Sequence, residues 1–293
     1  MGQQLVMAVD AAYPSWHPHV DVWLLVIVLA AAYAITVVRV GPRHVAPGQS
    51  PVTRLQAVCF SLGVAAVWLA SDWPVHDIAE ELNYSMHMVQ HLLLSMVAAP
   101  LLLLGTPAWM LRAILRPPSA LFRTVRFLAR FLPALLVFNV VLVLTHWPTI
   151  VDASLGNHAL HFLVHALIFT TALLIWMPVL SPLPEIPRLS PPPRMIFLFL
   201  QSVVPTIPAS FLTFGSSPLY HFYEGVPHLW GLSTLDDQRL AGLIMKLGAG
   251  LLLWMLIAVI FFRWAGEEDR RIAARRRWQD LDRELSRMGT TST

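Results

Sequence analysis

The chain carries a single cysteine, Cys59, in 293 residues. That excludes a disulfide framework and any paired-thiolate motif, so a metal ion here would need other ligands. Charge is scarce as well, at 13% of residues against 56% hydrophobic, which is far from the soluble globular norm and marks an integral membrane protein. Lysine is nearly missing, Lys246 being the only one. There is no internal repeat, no nucleotide-binding glycine loop and no nucleophile elbow, and no nucleic-acid partner is expected. The first twenty residues lack Lys and Arg and hold no long apolar core. No cleaved secretory signal is therefore expected, and targeting falls to the first spanning helix.

Seven apolar runs are long enough to span a bilayer: 22–38, 53–70, 84–104, 131–147, 158–177, 194–214 and 239–262. The expected fold is all-α, a polytopic seven-transmembrane-helix bundle. It divides into a membrane domain over 1–265 and a charged tail over 266–293, read as an exposed helix with acids early and bases later. Proline should end several spans by removing a donor: Pro100 and Gly105–Pro107 the third, Trp147–Pro148 the fourth and Pro178 the fifth. Pro205 and Pro208 fall inside the sixth and should kink it. Eighteen of the twenty Lys and Arg lie in alternate segments, namely 39–54, 105–130, 178–194 and the tail from Arg263. By the positive-inside rule the N-terminus is outside and the C-terminus cytoplasmic. Arg112, Arg116, Arg123, Arg126 and Arg130 recur among apolar residues as a basic amphipathic segment, expected to lie on lipid of the inner leaflet.

Histidine is plentiful and unevenly distributed. With that topology eleven of the twelve fall on the outer side, and only His44 is cytoplasmic. His158, His161 and His165 are spaced three and four apart, so they stack on one helical face at the mouth of the fifth span. His87 and His91 form an i,i+4 pair near the start of the third span, and at 1.5 Å per residue His91 and His165 should lie at matching depth. His146 ends the fourth span. Imidazole and thioether donors suit copper, and imidazole alone also suits zinc. The candidate ligands are therefore His87, His91, His158, His161 and His165, supported by His146. Met86 and Met88 point about 200° apart on a helix, so only one of them can face the site. Asp152, Asp236 and Asp237 bring carboxylates to the same side, where they would orient imidazoles, although Asp237 also reads as an N-cap of its own helix. Lys246, two turns into the seventh span, should pair with Asp236, Asp237 or a site carboxylate, since an unpaired intramembrane charge is costly. For His17, His19, His221 and His228 the expected role is that of solvent-exposed loop residues.

Taken in order, several motifs closely resemble the CtaG family of seven-helix cytochrome c oxidase assembly factors. They are Met86-His-Met-Val-Gln-His-Leu-Leu-Leu ending in Leu104-Gly-Thr-Pro, His146-Trp-Pro with Asp152, His158 to His165 with Trp176, Pro205-Thr-Ile-Pro, and Leu235-Asp-Asp-Gln with Ala241-Gly-Leu-Ile-Met-Lys. The resemblance covers roughly 60–265. It implies a multi-pass protein of the bacterial plasma (inner) membrane, needed to make active haem–copper oxidase and suspected of delivering copper to it. Its partners would be oxidase subunits and other copper chaperones. Carried over by position, the family's motif residues are His87, His91, His146, Asp152, His158, His161, His165, Asp236, Asp237, Met245 and Lys246. An unrelated assembly factor of the same name is a single-span chaperone with a cysteine pair, which this chain lacks. The leading expectation is a non-enzymatic factor that binds copper at the outer face and hands it on. The alternatives are a seven-helix zinc-dependent membrane hydrolase, with three histidines and an Asp around a water, and a haem-binding protein with axial histidines from two helices.

Overall fold

The computed structural model describes residues 13–290, with side chains through 283. The first twelve residues of the expected outer N-terminus and the last three of the tail lie outside the described residues.

Among the described residues the chain is helical, without strands. The helices are α1 (Val20–Ile35), α2 (Arg54–Ser71), α3 (Val75–Glu81), α4 (Tyr84–Leu92), α5 (Ala99–Gly105), α6 (Ala108–Leu115) and α7 (Ala120–Leu128). They continue as α8 (Phe131–Thr145), α9 (Pro148–Leu155), α10 (His158–Leu180), α11 (Pro191–Val203), α12 (Thr206–Phe214), α13 (Thr234–Leu243) and α14 (Ala249–Thr290). Joined across short breaks, six of the resulting helices are long and apolar enough to cross a membrane: Val20–His44, Arg54–Glu81, Tyr84–Gly105, His158–Leu180, Pro191–Phe214 and Thr234–Arg283. They coincide with six of the seven apolar runs. The exception is the fourth, 131–147. Its helix α8 has 15 residues, about 22 Å at 1.5 Å per residue and short of a ~30 Å hydrocarbon core. It passes as a span only together with α7, which meets it at 87°. The α7 arginines Arg123 and Arg126 are exposed while Phe122 is buried, as an amphipathic helix lying across the bundle requires.

The expected kink of the sixth span is present, since the helix breaks between Val203 and Thr206 around Pro205. Two other proline expectations are corrected. Pro178 lies inside α10, which runs on to Leu180 and is closed by Leu189 N donating to Pro178 O at 2.8 Å. Pro100 does not close its span either. The turn before it, Leu93–Ala98, widens into a π-helix, and a π pattern would pair Ser95 O with the missing N–H of Pro100. The Trp176 indole on α10 donates to that carbonyl instead, at 2.8 Å. A second π segment, Ile244–Gly248, joins α13 to α14.

Packing is closest where α2 meets α5. A Cβ on Gly105 would overlap the Phe60 backbone, so only glycine allows this approach. Tyr33 from α1 stacks on Phe60 at 3.7 Å and donates to Gly105 O at 2.9 Å. Farther along, Asn139 Nδ2 on α8 donates to Gln201 Oε1 on α11 at 2.8 Å, a polar contact that ties two apolar helices. On the opposite side of the chain's polar loops, Arg112 donates to Glu185 at 2.7 Å and holds that carboxyl below its usual range. The segment from Ala249 to Thr290 is one continuous helix, so no break separates the expected membrane domain from the tail, whose residues 269–283 are exposed.

Candidate metal centre

The start of α4 is held by a carboxylate from another helix. Asp237, fully buried on α13, accepts from Tyr84 N at 2.6 Å, Ser85 N at 3.3 Å and Asn83 Nδ2 at 3.0 Å, and also from Ser85 Oγ. It therefore caps α4, whereas its own helix is capped by Ser233, which accepts from Asp236 N at 3.1 Å. This corrects the N-cap expectation. The free N–H groups and positive end of the α4 dipole draw an anion to this point, and Asp237 supplies it. The effect is to fix the helix that carries His87 and His91.

α10 supplies the facing wall. Asn157 caps it by accepting from Leu160 N at 3.1 Å. His161 and His165, one turn apart, then point at α4. Ligand nitrogens of His87, His161 and His165 all lie within 4.8 Å of one another. His165 also packs on His91, with ring centroids 4.8 Å apart, as the depth count predicts. His91 Nε2 meets His87 Nε2 at 2.9 Å, and His146 lies beyond His91 at 5.3 Å between rings. Four of these nitrogens, His87 Nδ1, both of His161 and His165 Nε2, are buried without a hydrogen-bond partner. Buried polar atoms are ordinarily paired, and converging bare nitrogens have the chemistry of a cation site.

A carboxylate completes the cluster, and it is not one of the three expected. Glu80 Oε1 on α3 lies 2.7 Å from His161 Nε2 and 3.1 Å from His76 Nε2. The contact with His161 lacks hydrogen-bond alignment, an arrangement suited to two atoms facing a common ion. Apolar length does not reveal Glu80 and His76, because α3 falls between the runs 53–70 and 84–104. The signal was present, since His76 and Glu80 are an i,i+4 pair.

Beneath the rings lies a cavity of about 40 Å³ whose polar and sulfur-bearing walls are Met88, His91, Ser95, Met96, His146 and Met245. Met96 and Met245 both come from the two π segments, whose widened turns bring these thioethers inward. Of the expected methionine pair, Met88 is the inward one. Met86 packs instead beside Ile78, Leu82 and Leu229.

Several expected site residues stand elsewhere. His158 is exposed as the first residue of α10; it shares the right face but projects above the ring cluster. Asp152 accepts from Phe222 N at 3.2 Å, and Asp236 is exposed beside Ser233 and Arg239, so neither touches an imidazole. Lys246 is exposed and forms no ion pair with either aspartate among the described residues, because the π turn carries Met245 inward and leaves the next residue on the outer surface. His221 is exposed, as expected, with Glu224 at 3.2 Å. His228 is buried, 3.9 Å from Asp237, and His19 is held by Asp77 at 2.8 Å; both depart from the solvent-exposed expectation. Around the site's polar rim, burial raises the Tyr223 and Tyr220 hydroxyls, the latter to about 12; Tyr223 donates to Ala79 O at 2.7 Å.

Six helices long and apolar enough to cross a membrane, with histidines converging from separate spans, define a helical membrane protein. The chain belongs to the cytochrome c oxidase caa3 assembly factor family (CtaG), whose sequence profile matches residues 31–267. It is 29% identical over 275 residues to an uncharacterised protein of Mycobacterium bovis and, at the same level, to one of Mycobacterium tuberculosis. Each match covers 81% of this chain and 40% of the relative, so the chain spans well under half the length of these relatives. No solved structure matches.

Proposed function

We propose that this protein assembles a haem–copper cytochrome c oxidase by holding copper at the outer face of a bacterial plasma membrane and delivering it to an oxidase subunit or to another copper chaperone. Copper is cargo in this reading, and the protein is not an enzyme. The proposed topology is seven spans, the fourth over 131–147 with the basic segment before it on the inner leaflet, an outer N-terminus and a cytoplasmic C-terminus. Residues 1–265 form the membrane domain and 266–293 a cytoplasmic tail.

The observation that carries the reading is the convergence of unpaired imidazole nitrogens from α4 and α10 above a cavity walled by three thioethers. His87, His161 and His165 would hold the ion together with Glu80, and His91 and His146 would pass it toward Met88, Met96 and Met245. Nitrogen and thioether donors without thiolate bind copper less tightly than a cysteine pair, which suits release. Zinc would be served by the imidazoles alone but gains nothing from the sulfur wall. Haem would use two axial imidazoles and leave the three thioethers of the cavity wall without a role, so copper is preferred over haem.

Membranes of host cells carrying His161→Ala with His165→Ala test the role. The expected result is oxidase activity reduced at least tenfold, with oxidase protein present but low in copper, and partial recovery when copper is added to the medium. Full activity with normally metallated oxidase would refute delivery through this site.

A further inference from the structure

A second group of ligand atoms stands at the mouth of the bundle, apart from the buried cluster. His17, His19 and Asp77 place one ligand atom each within 4.8 Å of one another. His19 Nε2 is 2.8 Å from Asp77 Oδ1 and His17 Nε2 is 3.6 Å from the same oxygen. The carboxylate is 3% exposed and its Oδ2 is buried without a partner, although a buried carboxylate oxygen normally finds a donor. His17 is 51% exposed and His19 18%, so the group runs from solvent into protein.

The group is built into the fold. The segment before α1 is pinned by Trp73 Nε1 donating to Pro14 O at 3.0 Å and by His19 N donating to Asp72 Oδ1 at 3.4 Å. Trp23 and Trp68 fix Asp72 in turn, each donating to its Oδ2 at 2.8 Å. His17 Nδ1 lies 3.1 Å from Ser15 O. A carbonyl only accepts, so this nitrogen donates and turns the ring with Nε2 toward Asp77. Such support behind a ligating imidazole is the usual arrangement in metal sites.

From this group a line of imidazoles leads inward. The His19 and His76 rings are 4.8 Å apart and the His76 and His161 rings 6.4 Å, and Glu80 touches both His76 and His161. Asp77 and Glu80, three apart on α3, mark the two ends of the step.

We propose that His17, His19 and Asp77 form a second metal site, an acquisition site for a borderline divalent transition-metal ion such as Cu(II), which passes by way of His76 and Glu80 to the buried histidines. Two imidazoles and a carboxylate give a mixed nitrogen and oxygen donor set that suits Cu(II) or Zn(II) better than Cu(I). The ion moves inward by exchange of ligands with no change of oxidation state. The acquisition role rests on the copper reading of the buried cluster; the existence of the outer site does not.

The full chain, purified in detergent micelles and stripped of metal, is dialysed against Cu(II) and in parallel against Zn(II), and bound metal is counted. Wild type shows two classes of site. Asp77→Asn with His19→Gln loses one class and fills the buried class at least tenfold more slowly, whereas His161→Ala with His165→Ala retains the outer class. His17→Gln with His19→Gln, at positions that are not buried, repeats the test if the aspartate variant fails to fold. Two undiminished classes in the outer-site variants would overturn the proposal. Loss of metal in the outer variants but none in the His161 and His165 variant would leave the outer site standing and refute the buried one. An outer class lost without slower filling of the inner one would refute acquisition.

Discussion

His91→Ala combined with His165→Ala is expected to weaken copper binding by more than a hundredfold, about 2.8 kcal/mol. The two rings lie 4.8 Å apart and join the imidazoles of α4 and α10 to the methionine-walled cavity. Removing a residue that merely orients a metal ligand costs 10–100-fold in affinity, and removing the ligand His165 together with its ring neighbour His91 costs more. Competition with a chromophoric copper chelator measures the affinity, and a thermal melt of the same preparation checks the fold. An affinity within threefold of wild type would place copper elsewhere.

Asp237→Ala should destabilise the protein by about 3–5 kcal/mol, because it leaves Tyr84 N, Ser85 N and the Asn83 amide as buried donors with no acceptor. Asp237→Asn keeps one acceptor oxygen but presents an amide to the same N–H groups, so it should recover less than half of that loss. Denaturant unfolding in micelles measures both. The effect should also reach the metal, since α4 frays from the end that carries His87; copper affinity should fall in the alanine variant even under conditions where it is still folded. Unchanged stability in both variants would show that Asp237 does not hold the helix start.

Much of this architecture is readable from the chain alone, and the reasons for the failures are physical. Six spans follow from apolar length, and the facing of His91 and His165 follows from rise per residue, a local quantity that packing does not alter. What failed depends on departures from regular helix. Counting at 3.6 residues per turn cannot place Met245 or Lys246, because the π turn at Ile244–Gly248 rotates one inward and the other out. Pro100 failed for the same reason, its missing donor being absorbed by a widened turn and by Trp176. His158 satisfies the periodicity of its face, and only the height of the neighbouring helices decides that it stays exposed.

The carboxylates failed differently. Asp152, Asp236 and Asp237 were plausible partners by side of the membrane, yet the one that reaches the imidazoles is Glu80, from a short helix hidden in an apparent loop. Asp237 turned out to serve a backbone 153 residues away along the chain, a pairing that no local pattern encodes. The histidines of the candidate centre are therefore readable, because α4 and α10 fall within apolar runs, and Glu80 is not, because its helix α3 has only 7 residues and lies outside them.

The most direct measurement is elemental analysis with an optical spectrum on one purified sample of the full chain. The account predicts copper bound in at least one equivalent per chain, zinc far below it, and no Soret band. Zinc in place of copper, or a Soret band with iron, would contradict it.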